Sequence, residues 1–112
     1  MIYLASPYSK YHGGKEKAFK LVVAKAAELM LEGYEVFCPI AHTHPIQDVI
    51  GDMDADWWLR QDFAVLKHCD ELVVYKMPGW EDSYGVYREI GFAKVNYIPI
   101  RYIEFDGQDG ID

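Results

Sequence analysis

Residues 70–95 read DELVVYKMPGWEDSYGVYREIGFAKV, and this stretch decides the fold. Its first part, Asp70 to Tyr75, is a short apolar run that is typical of a buried strand, and a loop with a Pro-Gly pair follows it. From about Ser83 to Val95, apolar residues recur at helical spacing, and Ser83 stands at the N-cap. A strand that passes through a short loop into a helix is the unit from which parallel sheets are built.

The same alternation extends in both directions from this stretch. Strands are expected at Met1–Ala5, Tyr34–Cys38 and Tyr97–Ile103, helices at Glu16–Glu32 and Asp56–His68, and a long loop at Ile40–Asp54. We therefore predict an α/β fold: a single-domain, Rossmann-like three-layer sandwich with a mainly parallel sheet of about four to five strands in flavodoxin-like order. The domain is expected to span residues 1–105, and residues 106–112, rich in Gly and Asp, to form a flexible tail.

Charge and composition exclude several classes of protein. The net charge of −7 argues against a nucleic-acid polymer as partner, because such proteins need a basic surface, but it leaves room for a small phosphorylated ligand. The longest apolar stretch is too short for a membrane span, so no membrane partner is expected. No signal-peptide pattern is visible, so we interpret Cys38 and Cys69 as reduced, buried residues of a cytoplasmic protein; a disulfide between them is the alternative.

Three segments follow the carboxyl ends of predicted strands, and they carry most of the unusual residues. These segments are residues 6–15, 39–55 and 76–83, with two histidines, several aromatic residues, a glycine pair and carboxylates. Open parallel sheets bind their ligands at this edge. The convergence predicts a small-molecule site there.

Two carboxylates on predicted helices are candidates for chemistry. The positive end of the helix dipole is expected to keep Glu89 ionised, as a nucleophile beside an anion site needs. The alternative is a structural Glu paired with Arg88 or Lys94, with Ser83 an ordinary N-cap. Asp62 lies inside a helix, where Asp has poor propensity; either a functional partner holds it there or it is a solvated surface residue.

The glycine pair Gly13-Gly14 precedes a predicted helix and is a candidate phosphate loop. Its backbone amides could cradle a phosphate, with Lys10 or Lys15 nearby. The spacing is not that of a Walker A loop, and the GxGxxG of dinucleotide folds is absent. A plain flexible connection is the alternative.

Two histidines, His42 and His44, fall in the long predicted loop. No third His or Cys stands at a recognisable ligand spacing, so we expect no metal there. We interpret the two imidazoles as substrate contacts or as residues that stabilise the loop.

Aromatic residues near the predicted site are candidate walls for a planar ligand such as a nucleobase. Trp57 and Trp58 are adjacent and point in different directions on a helix, so one is expected in the core and the other at the site. We take Trp58 as the second, together with Tyr8 and Trp80, although aromatic residues more often belong to a core.

Four pieces of the sequence together resemble a known family over nearly the whole chain. They are Ile2-Tyr3-Leu4-Ala5-Ser6-Pro7, Asp62, Cys69-Asp70-Glu71-Leu72-Val73-Val74, and Ser83-x-Gly85-Val86-x-x-Glu89-Ile90-Gly91-x-Ala93. This pattern resembles the nucleoside 2-deoxyribosyltransferase superfamily, which includes nucleoside 5′-monophosphate N-glycosidases and small bacterial and phage proteins. The last piece is the most specific of the four.

The resemblance implies a role for each matching residue. Glu89 would attack the anomeric carbon, Asp62 would assist proton transfer to the base, and Tyr3 would orient the nucleophile. Ser83 would bind a 5′-phosphate, as in the monophosphate-hydrolysing branch. Transferases of the family typically place a carboxylate near this position, and Asp82 leaves that choice open.

The expected function is therefore cleavage of the N-glycosidic bond of a (deoxy)nucleoside 5′-monophosphate or nucleoside through a Glu nucleophile. The alternatives are a nucleoside 2-deoxyribosyltransferase, an inactive nucleotide-binding module and a structural domain with a protein partner. No cofactor or metal is expected, and a homodimer or homotetramer is. The candidate substrate-binding residues are Ser6, Tyr8, Lys10, Gly13, Lys15, His42, His44, Trp58, Trp80, Ser83 and Gly85.

Overall fold

A four-stranded, all-parallel sheet organises residues 1–107, the part of the chain that the computed structural model describes. Its strands lie in the order β2-β1-β3-β4, which agrees with the predicted flavodoxin-like order. The elements in chain order are β1 (Ile2–Ala5), α1 (Lys15–Leu31), β2 (Val36–Phe37), α2 (Pro39–Ile50), α3 (Ala55–Leu66), β3 (Glu71–Lys76), a 3-10 turn (Trp80–Asp82), α4 (Tyr84–Val95) and β4 (Ile100–Glu104).

Alternate residues of β1 face two separate apolar layers, which makes the fold a three-layer sandwich. Ile2 and Leu4 pack in one layer with residues of α1 and α2, among them Val22. Tyr3 and Ala5 pack in the other layer with residues of α3 and α4. The predicted α/β architecture is thus confirmed, with both faces of the central strands buried.

The prediction of a long loop at Ile40–Asp54 is wrong, because most of this segment forms α2. Pro39 occupies the first turn of the helix, where its missing N–H costs nothing, and Gly51 ends the helix with a φ of 84°. Pro45 lies inside the helix on its exposed side. Buried contacts of Ile40 in the first apolar layer outweigh the poor helix propensity of the segment, and this packing is not visible in the local sequence.

The ends of two strands also differ from the predicted ones. Strand β2 has two residues where five were expected, and β4 begins at Ile100 instead of Tyr97. Tyr97 has a φ of 57°, the left-handed conformation that closes a helix, and Pro99 has no N–H for the ladder. The end of α4 therefore takes up residues that the pattern assigned to the strand.

The described end of the chain is tied to the domain by Asp106. Its carboxylate accepts hydrogen bonds from Lys25 Nζ at 2.8 Å and from the Tyr75 hydroxyl at 2.9 Å. Residues 108–112 of the predicted tail lie outside the described residues. Both cysteines are free and buried, in agreement with their interpretation as small core residues.

Candidate active site

A cavity of about 520 Å³ opens at the carboxyl ends of β1 and β3, where a ligand site was expected. Several segments of the chain meet there: the loop after β1, parts of α2, α3 and α4, the connection between α2 and α3, and the turn before α4. The cavity is lined by Ser6, Pro7, Tyr8, Ser9, Lys10, Tyr11, Lys15, Pro39, Ile40, Thr43, Gln47, Met53, Ala55, Trp58, Leu59, Asp62, Gly79, Asp82, Ser83, Tyr84, Gly85 and Glu89.

Glu89 is a buried carboxyl group on the cavity lining, only 4 % exposed. The hydroxyl of Tyr3, itself fully buried on β1, donates a hydrogen bond to Glu89 Oε2. The proposed partner Arg88 is engaged elsewhere, since its guanidinium lies 2.7 Å from Asp56 Oδ1. The structural alternative, a Glu paired with a neighbouring cation on its helix, therefore does not describe Glu89.

Burial raises the pKa of Glu89 to about 8, although the hydrogen bond from Tyr3 acts in the opposite direction. The expectation that the helix dipole keeps Glu89 ionised is therefore wrong at pH 7. The field of a helix terminus falls off within the first turn, and Glu89 lies beyond the first turn of α4. Desolvation is the larger effect, and it favours the neutral acid at pH 7.

Asp62 of α3 lies on the lining of the same cavity and is half-buried. Burial raises the pKa of its carboxyl to about 7, and its charge also raises the pKa of Glu89. A solvated surface Asp does not have these properties. Two interacting acids with pKa values near neutrality, facing one cavity, form the arrangement that general acid catalysis requires.

The first turn of α4 contributes Ser83 and Gly85 to the cavity lining. Ser83 Oγ accepts a hydrogen bond from Val86 N at 3.3 Å, which makes Ser83 the N-cap of the helix. Asp82 also lines the cavity, directly before the cap. A ligand at this corner would meet a hydroxyl, free helix amides and one carboxylate.

Ser6 supplies a further polar group at the end of β1. The residue is 6 % exposed, and its hydroxyl has no hydrogen-bond partner among the described residues. A buried hydroxyl without a partner costs free energy. Because Ser6 lines the cavity, a bound ligand is the natural partner of this group.

Tyr8, Lys10 and Lys15 stand on the lining formed by the loop after β1 and the start of α1. Lys15 Nζ lies 5.6 Å from the centroid of the Tyr8 ring and 3.8 Å from Asp52 Oδ1. The Tyr8 hydroxyl contacts His44 Nδ1 at 2.6 Å. This side of the cavity is thus polar and hydrogen-bonded.

Four candidate substrate-binding residues do not reach the cavity lining, and Tyr3 lies behind it, in contact with Glu89. His44 stands behind Tyr8, and His42 is exposed on the same helix, with its ring 6.1 Å from that of Phe37. Trp80 packs against Tyr102, with ring centroids 5.6 Å apart. Gly13 lies against the ring of Tyr11, which would be 2.9 Å from an added Cβ.

Sequence reasoning missed about half of the lining. The missed residues are Pro7, Ser9, Tyr11, Pro39, Ile40, Thr43, Gln47, Met53, Ala55, Leu59, Gly79, Asp82 and Tyr84, although Asp82 had been noted beside Ser83. Many belong to α2 and to the connection into α3, the segment predicted as a loop. A helical pattern through Pro39, Thr43 and Gln47, four residues apart on one face, was the signal that could have found them.

Two searches of the described residues concern metals and membranes. Within residues 1–107, no three His, Cys, Asp or Glu side chains come together in a way that could hold a metal ion. No helix of this part of the chain is long and apolar enough to cross a membrane.

Comparison with known proteins gives one match. A search of curated proteins found no significant relative. A family model described as a domain of unknown function, DUF1937, matches residues 1–104, which include every element of the sheet and every residue of the cavity lining. The fold and the cavity described above are therefore those of a member of the DUF1937 family, to which this chain belongs.

Proposed function

We propose that the protein cleaves the N-glycosidic bond of a nucleoside 5′-monophosphate or nucleoside, with Glu89 as nucleophile and Asp62 as acid. The observation that carries the proposal is the buried hydrogen bond from Tyr3 to Glu89, a residue that lines the same cavity as Asp62. The resemblance to the nucleoside 2-deoxyribosyltransferase superfamily assigns the same three residues to the same step. A cavity of about 520 Å³ is in the size range of small-molecule sites.

The first step forms a glycosyl ester. A carboxylate oxygen of Glu89 bonds to C1′ while the bond from C1′ to the base nitrogen breaks. Asp62 donates its proton to the departing nitrogen, which leaves a neutral base and an ionised Asp62. Because Glu89 has the higher pKa, the single proton of the pair is mostly on Glu89, and the reacting form is the minor one in which that proton is on Asp62. The hydrogen bond from Tyr3 favours this form, since it stabilises the ionised Glu89, and it orients the carboxylate for the attack.

The second step releases the sugar. Asp62, now a carboxylate, takes a proton from a water molecule, and the water oxygen bonds to C1′ as the ester bond to Glu89 breaks. Two displacements at one carbon retain its configuration. The reaction uses no cofactor, because the two carboxyl groups and Tyr3 supply the nucleophile, the acid and the orientation.

The apolar and polar parts of the lining suggest which residues contact the base of a substrate and which contact its phosphate. Trp58, Leu59 and Met53 offer an apolar surface for a base. Ser83, with the free amides at the start of α4, offers an anion site for a 5′-phosphate. Lys10 and Lys15, from the loop after β1 and the start of α1, add positive charge to the lining.

The test is to incubate the protein with a panel of nucleosides and their 5′-monophosphates and to measure free base by chromatography. Glu89→Gln should abolish base release and leave ligand affinity within a few-fold. Glu81→Gln is the matched control, because Glu81 is an exposed carboxylate of the 3-10 turn and does not line the cavity. Normal turnover by the Glu89 variant would rule out the mechanism.

A deoxyribosyltransferase is the second candidate, because Asp82 lines the cavity beside Ser83. In that case a second base, instead of water, would attack C1′ of the glycosyl ester. Addition of a free base to the assay would then yield a new nucleoside. Binding of the panel without any product would leave a nucleotide-binding module.

We also propose that the protein is a homodimer or homotetramer. Tyr87, Val95 and Tyr97 are 70 %, 76 % and 94 % exposed on and after α4, an apolar surface that a second copy could cover. Light scattering should give a mass of at least twice 12.9 kDa at micromolar concentration. A monomer under these conditions would contradict this part of the proposal.

A further inference from the structure

His44 is a half-buried histidine that lines no cavity but is held from three sides. Its Nε2 lies 2.8 Å from Glu16 Oε2 of α1, and its Nδ1 lies 2.6 Å from the Tyr8 hydroxyl. Its ring stacks on Phe19 with centroids 4.2 Å apart and planes 20° from parallel. These three contacts fix both the position and the orientation of the imidazole ring.

The contact with Glu16 decides how His44 meets Tyr8. A carboxylate only accepts hydrogen bonds, so Nε2 must carry a hydrogen and donate it to Glu16. Nδ1 then faces the Tyr8 hydroxyl either as an acceptor, in a neutral ring, or as a donor, in a charged ring.

In both cases the hydroxyl hydrogen of Tyr8 is used inside the protein. With a neutral His44, Tyr8 donates it to Nδ1. With a charged His44, Tyr8 accepts from Nδ1 and donates to Gln47 Oε1, which lies 3.1 Å away. Burial also raises the pKa of Tyr8, so the phenol keeps its hydrogen. At least one lone pair of the Tyr8 oxygen stays available to the cavity.

Gln47 restricts the same surface further. Its Oε1 faces the Tyr8 hydroxyl, and its amide nitrogen donates to Asp52 Oδ1. Both Tyr8 and Gln47 line the cavity, so the Tyr8 oxygen meets a ligand as an acceptor with no spare hydroxyl hydrogen, and the second amide hydrogen of Gln47 is the donor that remains on this pair.

From this geometry we infer that His44 is a positioning residue which, through Tyr8, makes this wall select ligands that present an N–H or O–H group to it. The inference deepens the proposed function, on which its choice of ligand rests. For a nucleotide the donor is either a ring N–H of the base or a hydroxyl of the sugar. A ligand that lacks the donor leaves the Tyr8 oxygen without a partner and binds more weakly.

The experiment measures dissociation constants by calorimetry in the Glu89→Gln background, where turnover does not consume the ligand. Inosine and uridine 5′-monophosphates are each compared with analogues methylated on the ring N–H, and with analogues that lack the 2′- or the 3′-hydroxyl. The methylated pairs report a donor on the base, and the deoxy pairs report a donor on the sugar. One of these pairs should differ about tenfold in affinity.

Three variants then connect that preference to His44. Tyr8→Phe removes the acceptor oxygen, and the two ligands of the pair should then have equal dissociation constants. His44→Phe keeps the stack on Phe19 but not the hydrogen bonds, and it should reduce the preference to about threefold or less. His44→Asn restores an oxygen or nitrogen near Nδ1 and should recover part of it. His68→Ala, an exposed histidine away from the cavity, is the control and should keep the full preference.

The outcomes separate this inference from the proposed function. A preference that survives both Tyr8→Phe and His44→Phe, or no preference within any pair, would overturn the inference even if base is released. Donor-dependent binding without base release by the unmodified protein would keep the inference and reject the glycosidase. Absence of binding for every nucleotide would reject both.

Discussion

Two regions of the site differ in how their titratable groups are paired. We call Glu89 and Asp62, with Tyr3 bonded to Glu89, the floor, and Tyr8 and Gln47, with His44 behind Tyr8, the wall. On the floor, Glu89 and Asp62 are acids whose pKa values are raised by burial, and the Tyr3 hydroxyl donates a hydrogen bond to Glu89. On the wall, Tyr8 and His44 are satisfied by a chain of hydrogen bonds that ends at the exposed Glu16. Glu89, Asp62 and Tyr8 line the same cavity, and Tyr3 and His44 lie directly behind this lining.

This difference in hydrogen bonding and solvation indicates a different role for each region. Keeping two acids poorly solvated costs stability, and proteins accept such a cost where chemistry needs a shifted pKa. A wall in which the donor hydrogens of Tyr8 and His44 are used in hydrogen bonds within the protein costs little and holds its shape, which suits recognition. If this comparison is right, changes to the floor should alter pH dependence and turnover, whereas changes to the wall should alter ligand preference.

The largest expected effect is on stability after Glu89→Gln. The native pKa of Glu89, about 8, exceeds its ordinary value of 4.5, so between these pH values the folded protein holds a proton that the unfolded chain has lost. This group therefore makes the folded state less stable as pH rises through that window, and a glutamine does not titrate. Relative to the natural protein, the variant should gain on the order of a few kcal/mol in unfolding free energy between about pH 5 and pH 9.

Urea unfolding at a series of pH values measures this gain. Glu81→Gln is the control for the loss of a glutamate carboxylate at an exposed position of the same region. If the unfolding free energies of the natural protein and the Glu89 variant changed in parallel with pH, Glu89 would be well solvated. The contrast between floor and wall would then be wrong.

The pH profile of base release should be bell-shaped. The mechanism needs one proton on the carboxyl pair: with both groups protonated the nucleophile is lost, and with both ionised the base receives no proton. The limbs of kcat/KM should lie near pH 7 and pH 8, as apparent values of the coupled pair. Outside these limbs the rate should fall about tenfold per pH unit. A rate that stays flat from about pH 5 to pH 9 would exclude this pair as the acid and nucleophile.

A smaller effect is expected from Tyr3→Phe. The Tyr3 hydroxyl favours the ionised form of Glu89, so its removal should raise the pKa of Glu89 further, move the basic limb of the profile, near pH 8, upward and lower kcat. Tyr75→Phe is the matched control, because Tyr75 is also buried and donates to a carboxylate, that of Asp106, in the other apolar layer. Steady-state kinetics should show the shift for Tyr3 alone; equal shifts in both variants would indicate a general loss of packing.

The smallest effect is expected from Ser83→Ala. It should raise KM for nucleoside monophosphates several-fold more than for nucleosides, because only the former carry the phosphate that this corner would bind. Loss of the N-cap bond to Val86 should also cost ~1 kcal/mol of stability. If KM rises equally for both classes of substrate, Ser83 acts as the N-cap of α4 and does not bind the phosphate.

The sequence predicted most of the fold and the centre of the floor. Apolar runs such as Leu72–Val74 can only be buried strands in an alternating chain, so the parallel sheet follows from local pattern. Glu89 was identified by its place in a helix motif, and its burial follows from the apolar residues around it. Its protonation was predicted wrongly, because desolvation depends on contacts with β1 that no local pattern contains.

The wall was predicted less well, since it depends on α2. Pro45 and the two histidines made residues 40–54 resemble a loop, and the packing of Ile40 reversed that preference. We therefore predicted His44 as a substrate contact or a residue that stabilises a loop, whereas on α2 it contacts Tyr8 and Glu16. Gln47 was missed for the same reason.

The residues of β1 and its exit have a consequence for how the family can diverge. Residues 2–5 alternate between the two apolar layers, and the same run continues into Ser6 and Tyr8 of the cavity. A one-residue insertion or deletion here would exchange the two faces of the strand and displace floor and wall together. Evolutionary changes in ligand choice are therefore expected in α2 and in the connection to α3, where Gln47 and Met53 can be exchanged without disturbing the strand. In a laboratory selection for altered specificity, those positions are the ones to randomise.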